Sequence, residues 1–303
     1  MLGNSLAVLF ALCAAVFAAI GIVVRQRATM DVPPAKGVST VMLRTLLRRQ
    51  LWWAGTASAV AGYGFQALAL VFGSLLLVQP VLVSALLFAL PMSAHLAHRR
   101  VTRGEWLWAS LLTAALTVFV LLARSSTGNY SVSVTTSVIV AVVCAAVVLL
   151  CVLSATRSTD GRRAVLLAVA VAVMFGVVAV LTKIVMHMVA EGSVLATLTT
   201  PALYLVVILG VAGTLLQQSA FHAGSLQTSV PTMLVLEPVV AVVLGAIVLG
   251  ETLSITGWEP VVLVLSIGAM IASTIALGRD EGAYEETLEA EIEAEMKAKA
   301  VTD

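Results

Sequence analysis

Residues 62–80, GYGFQALALVFGSLLLVQP, lie over residues 213–231, GTLLQQSAFHAGSLQTSVP, without a gap when the chain is displaced by 151 positions. Seven of these nineteen positions are identical: Gly62/Gly213, Gln66/Gln217, Ala69/Ala220, Gly73/Gly224, Ser74/Ser225, Leu75/Leu226 and Pro80/Pro231. Unrelated stretches of ordinary composition would share about one or two. The likeness extends outward. Phe17 and Arg25 lie over Phe175 and Lys183 at a displacement of 158, and Trp106 lies over Trp258 at 152. Apolar runs of about 20 residues cross a bilayer as helices. The sequence therefore predicts helices near 4–24, 51–72, 75–97 and 105–123, repeated near 164–186, 199–222, 226–249 and 257–277, with a ninth near 133–154 between the copies. Five crossings separate equivalent helices, so the second copy is inserted upside down. The predicted fold class is an all-α polytopic membrane protein of about nine transmembrane helices, in two inverted four-helix repeats joined by a linker helix. Its divisions are 1–130 for the first repeat, 131–160 for the linker helix, 161–278 for the second repeat and 279–303 for an acidic cytoplasmic tail.

Composition agrees. Hydrophobic residues make up 60% of the 303 and charged residues 11%, against about 25% charged in a soluble domain. Mean hydropathy is +1.07, which excludes a water-soluble core. The net charge of +1 acquires meaning only when the charges are placed. With the N-terminus outside, the inner segments hold Arg25, Arg27, Lys36, Arg44, Arg48, Arg49, Arg99, Arg100, Arg103, Arg157, Arg162, Arg163, Arg279, Lys297 and Lys299. Of the 17 Lys and Arg residues only Arg124 and Lys183 remain on or near the outside, a strong positive-inside signal. Trp52, Trp53, Trp106, Trp108 and Trp258 fall near predicted helix ends, as in an aromatic belt. The first apolar run has no basic segment before it, so it reads as a spanning helix and not as a cleaved leader. The expected location is the cell membrane, multi-pass, with the N-terminus outside and the C-terminus cytoplasmic.

Inverted repeats are a transporter signature, with the substrate site near the midplane between the copies. Glu237 is the twelfth residue of the predicted helix 226–249, so it lies near mid-bilayer. An acid there costs roughly 2.5–3.5 kcal/mol to insert, and such residues are functional by default. It is a candidate proton-coupling group, cation ligand or counter-charge, and a weak candidate metal ligand. Gln66, Gln217 and Gln218 offer amide donors and acceptors inside two repeat-equivalent helices. Lys183, inverted relative to Arg25, is a candidate for binding an anionic group or pairing with Glu237. Pro80 and Pro231 begin equivalent helices and are expected to expose backbone carbonyls to a cavity. Glu251, just past the end of helix 226–249, is expected to be reached by water and to serve as a reference for Glu237.

Other features point less far. His95 and His98 read as an inner-interface pair, and His222 likewise. Cys13, Cys144 and Cys151 lie inside apolar runs without metal spacing or a disulfide framework. Residues 41–50 read as a short basic amphipathic helix. Residues 280–303 hold nine acidic side chains and read as a cytoplasmic helix, a candidate surface for self-association or a partner protein. No nucleophile with a base, phosphate loop or nucleotide fold is legible. The chain is therefore expected to be no enzyme, to need no cofactor, to bind no nucleic acid, and to be driven by gradients. Its expected partners are the lipid bilayer and a small-molecule or ion substrate.

Leu236-Glu237-Pro238-Val239-Val240 followed by Leu249-Gly250-Glu251-Thr252-Leu253 resembles the signature of the EamA branch of the drug/metabolite transporter superfamily. Phe175-Gly176 with Lys183 is similar to the same branch. Trp53-x-Gly55, Gly62-x3-Gln66-x2-Ala69 and Val78-x-Pro80 resemble the NIPA-type magnesium-transporter branch, in which an acidic residue stands where this chain has Tyr63. Tyr63 joins the candidate site on that ground. The resemblance covers nearly all of 4–277 and implies a secondary transporter of a small metabolite by alternating access, or a Mg2+ transporter of the NIPA type. A non-transporting membrane scaffold or subunit of a larger complex is the remaining alternative.

Overall fold

The computed structural model describes residues 2–30, 50–96, 100–122, 125–126, 134–158, 160–192, 194–221, 223, 226–253 and 257–279. The basic segment 41–49, His98, His222 and the tail 280–303 lie outside the described residues. The helices are α1 (Leu2–Met30), α2 (Gln50–Phe72), α3 (Leu75–Leu82), α4 (Ala85–Leu96), α5 (Arg103–Leu122), α6 (Val134–Thr156), α7 (Asp160–Ala190), α8 (Val194–Thr199), α9 (Pro201–Phe221) and α10 (Leu226–Leu249). A last helix, α11, runs over Glu259–Arg279. Two short strands, β1 (Ser125–Ser126) and β2 (Thr252–Leu253), pair antiparallel. Among the described residues eight spans are long and apolar enough to cross a membrane, α3 and α4 together forming one, and the apolar part of α9 (Pro201–Gln217) is shorter. The chain is an all-α, multi-pass membrane protein.

Small residues set the packing. On α1, Ala7, Ala11, Ala15 and Ala19 recur every four residues and are all 0% exposed. This stripe lets α2 approach closely. A Cβ on Gly21 would stand 2.9 Å from the Ala59 nitrogen, and one on Gly62 would stand 3.0 Å from that of Ala18. Close backbone approach over small side chains is the usual basis of helix association in a bilayer, where lipid removes most of the hydrophobic drive. Phe10 and Phe17 stack on Phe65, and Ser58 Oγ donates to Phe17 O at 2.8 Å. The second half repeats the device. Ala164, Ala168, Ala172 and Gly176 line α7, and a Cβ on Gly176 would lie 2.5 Å from Val240 Cγ1 of α10. α1 packs chiefly on α2 and α4, and α7 chiefly on α10 and α9.

The predicted helix 75–97 is interrupted. α3 ends at Leu82 and α4 starts at Ala85, and the joint is held by tightened bonds: Ser84 N donates to Val81 O at 3.0 Å and Leu87 N to Ser84 O at 2.9 Å. Pro80 lies inside α3, not at the joint, and its missing N–H weakens the ladder just before it. α10 contains both Pro231 and Pro238 and stays continuous. Pro231 is buried, with its ring 3.2 Å from where a Cβ on Gly278 would sit. α5 begins with a capping box: Thr102 N donates to Glu105 Oε2 at 2.6 Å and Glu105 N to Thr102 Oγ1 at 3.2 Å. The outward faces of α6 and α9, with Val142, Leu150, Ile208 and Leu215 exposed, are apolar, as suits lipid.

Candidate functional site

Two polar clusters lie inside the bundle. The first sits where α2 turns into α3. α2 ends at Phe72, Gly73 and Ser74 form the link, and α3 starts at Leu75. Four carbonyls at the end of one helix and four N–H groups at the start of the next need partners. Lys183 of α7 supplies the first set, donating from Nζ to Leu70 O and Gly73 O. Glu251 supplies the second. Its Oε1 accepts from Leu75 N at 3.0 Å and its Oε2 from Leu76 N at 3.2 Å. The signs match the helix dipole, cation at a C-terminus and anion at an N-terminus. Ser74 adds an N-cap, its Oγ accepting from Leu77 N at 3.3 Å. Lys183, Glu251 and Ser74 are 2%, 2% and 1% exposed.

Gly250 makes this geometry reachable. Its φ of 68° is left-handed, a conformation glycine adopts freely. The chain turns back over α10, Glu251 N donates to Gly245 O at 3.2 Å, and the carboxylate lies over the α3 start. Burial pushes the Glu251 carboxyl up from its ordinary value, while the Leu75 and Leu76 N–H groups and the Lys183 ammonium pull it back. The expectation of a water-reached Glu251 is thus wrong. So is the pairing of Lys183 with Glu237, since the carboxylate acting on Lys183 is that of Glu251. Beside it, Thr182 donates to Val178 O at 2.7 Å, so its single hydroxyl hydrogen is committed. The Tyr63 hydroxyl, 2.5 Å away, must then donate to Thr182 Oγ1. Tyr63 therefore joins α2 to α7 next to the Lys183 cluster.

The second cluster is a set of unpaired polar groups on the interrupted helix. Four buried side-chain atoms among the described residues lack a hydrogen-bond partner: Thr56 Oγ1, Gln79 Nε2, Ser84 Oγ and Ser273 Oγ. Two of them belong to the interrupted helix, with Gln79 and Ser84 each 2% exposed. The N-terminal end of α3 meets the C-terminal end of α10, where a Cβ on Gly245 would stand 3.1 Å from Leu75 Cβ. The two helices pack on each other, and both run inward from that end. Val83 is eight residues from Leu75, and Glu237 is eight from Gly245 (83 − 75 and 245 − 237). At about 1.5 Å per residue both lie about 12 Å further in. The break and Glu237 share one depth. Glu237 is half-buried, and none of the described residues donates a hydrogen bond to it.

The glutamines are placed apart. Gln66 on α2 and Gln217 on α9 are half-buried on helices that both pack on α7 and share no extensive contact. Gln217 Nε2 lies 3.9 Å from Met233 Sδ. The Gln218 side chain is outside the described residues. Sequence reading missed Gln79, Ser84 and the role of Glu251. Gln79 stood next to Pro80 in the quoted stretch, whereas the contact of Glu251 with Leu75 spans 176 residues and leaves no local signal.

An uncharacterized protein of Corynebacterium glutamicum, Cgl0250/cg0304, is 37% identical to this chain over 279 residues, covering 92% of this chain and 96% of that protein. The chain belongs to its family. The match is nearly end to end, so the members share the whole membrane region and not one motif within it. No protein-family model and no solved structure matches the chain.

Proposed function

We infer that this chain is a secondary carrier that moves a small polar metabolite by alternating access between two inverted repeats. The observation that carries the reading is the mid-depth cluster. Buried polar atoms in proteins are nearly always satisfied, so an unpaired hydroxyl at a helix break and an unpaired amide one turn before it ask for a ligand or water. Discontinuous helices at the midplane are where transporters bind substrate. Gln79 Nε2 and Ser84 Oγ can donate to the acceptors of a solute, and the Glu237 carboxyl can receive its donors or its positive charge.

Packing supports the repeat. α1 on α2 and α4, with α7 on α9 and α10, is the same pattern twice. Pairing of β1 with β2 supports nine crossings. The two strands lie on one side of the bundle, so an even number of crossings separates them. α6, α7 and α10 make three, and α9 supplies the fourth. An odd total, with the charge asymmetry, supports an outer N-terminus, a cytoplasmic C-terminus and the cell membrane as location. The resemblance to the drug/metabolite transporter superfamily is consistent with this reading and forms part of the proposal. A Mg2+ role has less support. Among the described residues no three His, Cys, Asp or Glu side chains come together, and an amide N–H₂ facing a site repels a cation. The test is thermal stabilisation of purified protein by amino acids, nucleosides, sugars, small amines and Mg2+. Stabilisation by a metabolite class, lost in Gln79→Leu, supports the carrier. Stabilisation by Mg2+ alone replaces it with the cation reading.

A further inference from the structure

We propose that Lys183 and Glu251 form a one-ended gate, a clamp that closes the outer entrance to the mid-depth cluster; this rests on the carrier reading above. Both side chains come from the second half of the chain and both grip the α2–α3 link in the first half. Opening that end means parting the halves, and parting the halves means withdrawing an ammonium from two helix-end carbonyls and a carboxylate from two helix-start N–H groups. The clamp is therefore broken as a unit. Nearby, the β1–β2 pair joins the outer loop after α5 to the one after α10.

The repeat tells a gate from a general brace. A brace that the fold needs would recur at the equivalent link, Gly224-Ser225. The first-half residue over Lys183 is Arg25, so a cation is present. The residue over Glu251 is Arg100 or Arg99, at displacements of 151 and 152. A carboxylate at a helix start stabilises it and a guanidinium does not. In sequence, therefore, a cation stands where the second half has the anion of the clamp, so the two ends are not built from equivalent residues. The outer end is held and the inner end is the one that opens at rest. The Tyr63–Thr182 bond has a hydroxyl pair alone, and the His187–Glu191 pair is largely exposed within one helix. Among the described residues, the Lys183–Glu251 cluster is the one that is buried and joins the two halves through four hydrogen bonds.

The test uses full-length protein in intact cells, with Cys13, Cys144 and Cys151 replaced by alanine. Val78→Cys, at a fully buried position on α3 just below the clamp, reports opening, and Thr252→Cys, on the exposed strand above it, reports that this end faces the medium. The probe is a membrane-impermeant maleimide added outside. With the clamp intact, Val78→Cys should react at least tenfold more slowly than Thr252→Cys. Glu251→Gln or Lys183→Met should raise its rate about tenfold, and Lys183→Arg should not. Glu251→Asp keeps the charge but is too short to reach both N–H groups. It should give an intermediate rate, and it serves if the Gln variant does not fold. Fast labelling behind an intact clamp, or equal slow labelling in every clamp variant, overturns the gate. Clamp-dependent labelling without flux of any amino acid, nucleoside or sugar would keep the gate and remove the carrier. Flux with clamp-independent labelling would keep the carrier and remove the gate.

Discussion

Along one transmembrane span, Gln79 lies four residues and Ser84 nine residues beyond Leu75 at the α2–α3 link, about 6 and 14 Å, and these polar groups are in the opposite state to those at the link. At the link each buried polar group has found its partner: Lys183 the last carbonyls of α2, Glu251 the first N–H groups of α3, Ser74 the N–H of Leu77. At the break, Gln79 Nε2 and Ser84 Oγ have none. Both regions are equally dry, so burial does not distinguish them. What differs is the source of the partners. The link is satisfied from within the chain, by the Lys183 and Glu251 side chains of its second half. The groups on the interrupted span are left without any partner from the described residues, which is why they carry the binding proposal. Packing follows the same line. α3 leans on α10 of the second half as well as on α1, whereas α4 packs chiefly on α1 of the first. The joint at Val83–Ser84 thus divides one membrane span between the two halves, as a hinge between them would require.

Mutations on either side of that line should sort by what they change. The largest loss of stability is expected from Lys183→Met, which orphans two buried carbonyls and leaves Glu251 without its counter-charge. Unfolding in detergent should show a destabilisation of about 3 kcal/mol. A value within about 0.5 kcal/mol of the parent would remove the joint from the comparison. Ser74→Ala should cost about 1 kcal/mol by loss of an N-cap. Gln79→Leu and Ser84→Ala should be neutral or stabilising by up to about 1 kcal/mol, because no hydrogen bond is lost. They should nevertheless abolish stabilisation by whichever solute class binds. If they destabilise as much as Lys183→Met, the break is a packed core and not a site.

A smaller effect concerns pH. The Glu251 carboxyl titrates above its ordinary value in the folded protein because burial outweighs its partners. The folded state then holds its proton more tightly than the unfolded state does. This contribution to stability is present at low pH and is lost as pH rises from the ordinary carboxylate range through the folded value. Subtracting the pH–stability curve of Glu251→Gln from that of the parent should show a decline toward higher pH. A difference curve that rises with pH would mean that the N–H groups and Lys183 dominate over burial.

Much of this architecture was legible in the sequence. The predicted helix 226–249 coincides with α10, and the repeat placed Gly73-Ser74 between two helices. Hydropathy and spacing are local properties, and the chain displays them directly. Glu237 was legible because an acid in an apolar run is conspicuous. Three things were not. The break at Val83–Ser84 lies three residues beyond Pro80, and α10 carries two prolines without breaking, so proline alone does not decide where a helix parts. Glu251 looked exposed because it follows a helix end, and only the fold shows another helix starting beneath it. The unpaired state of Gln79 depends on what its neighbours in the fold fail to offer, which no pattern in the sequence records.

The most direct measurement is solute-induced thermal stabilisation of the parent protein beside Glu237→Gln, in the same detergent and across the same metabolite panel. The Gln side chain keeps the size and the hydrogen-bonding capacity and removes the charge. A neutral amide is easier to bury than a carboxylate, so the variant should fold as the parent does and lose the solute-induced stabilisation; stabilisation equal to the parent's across the whole panel would contradict a role for the Glu237 charge in binding.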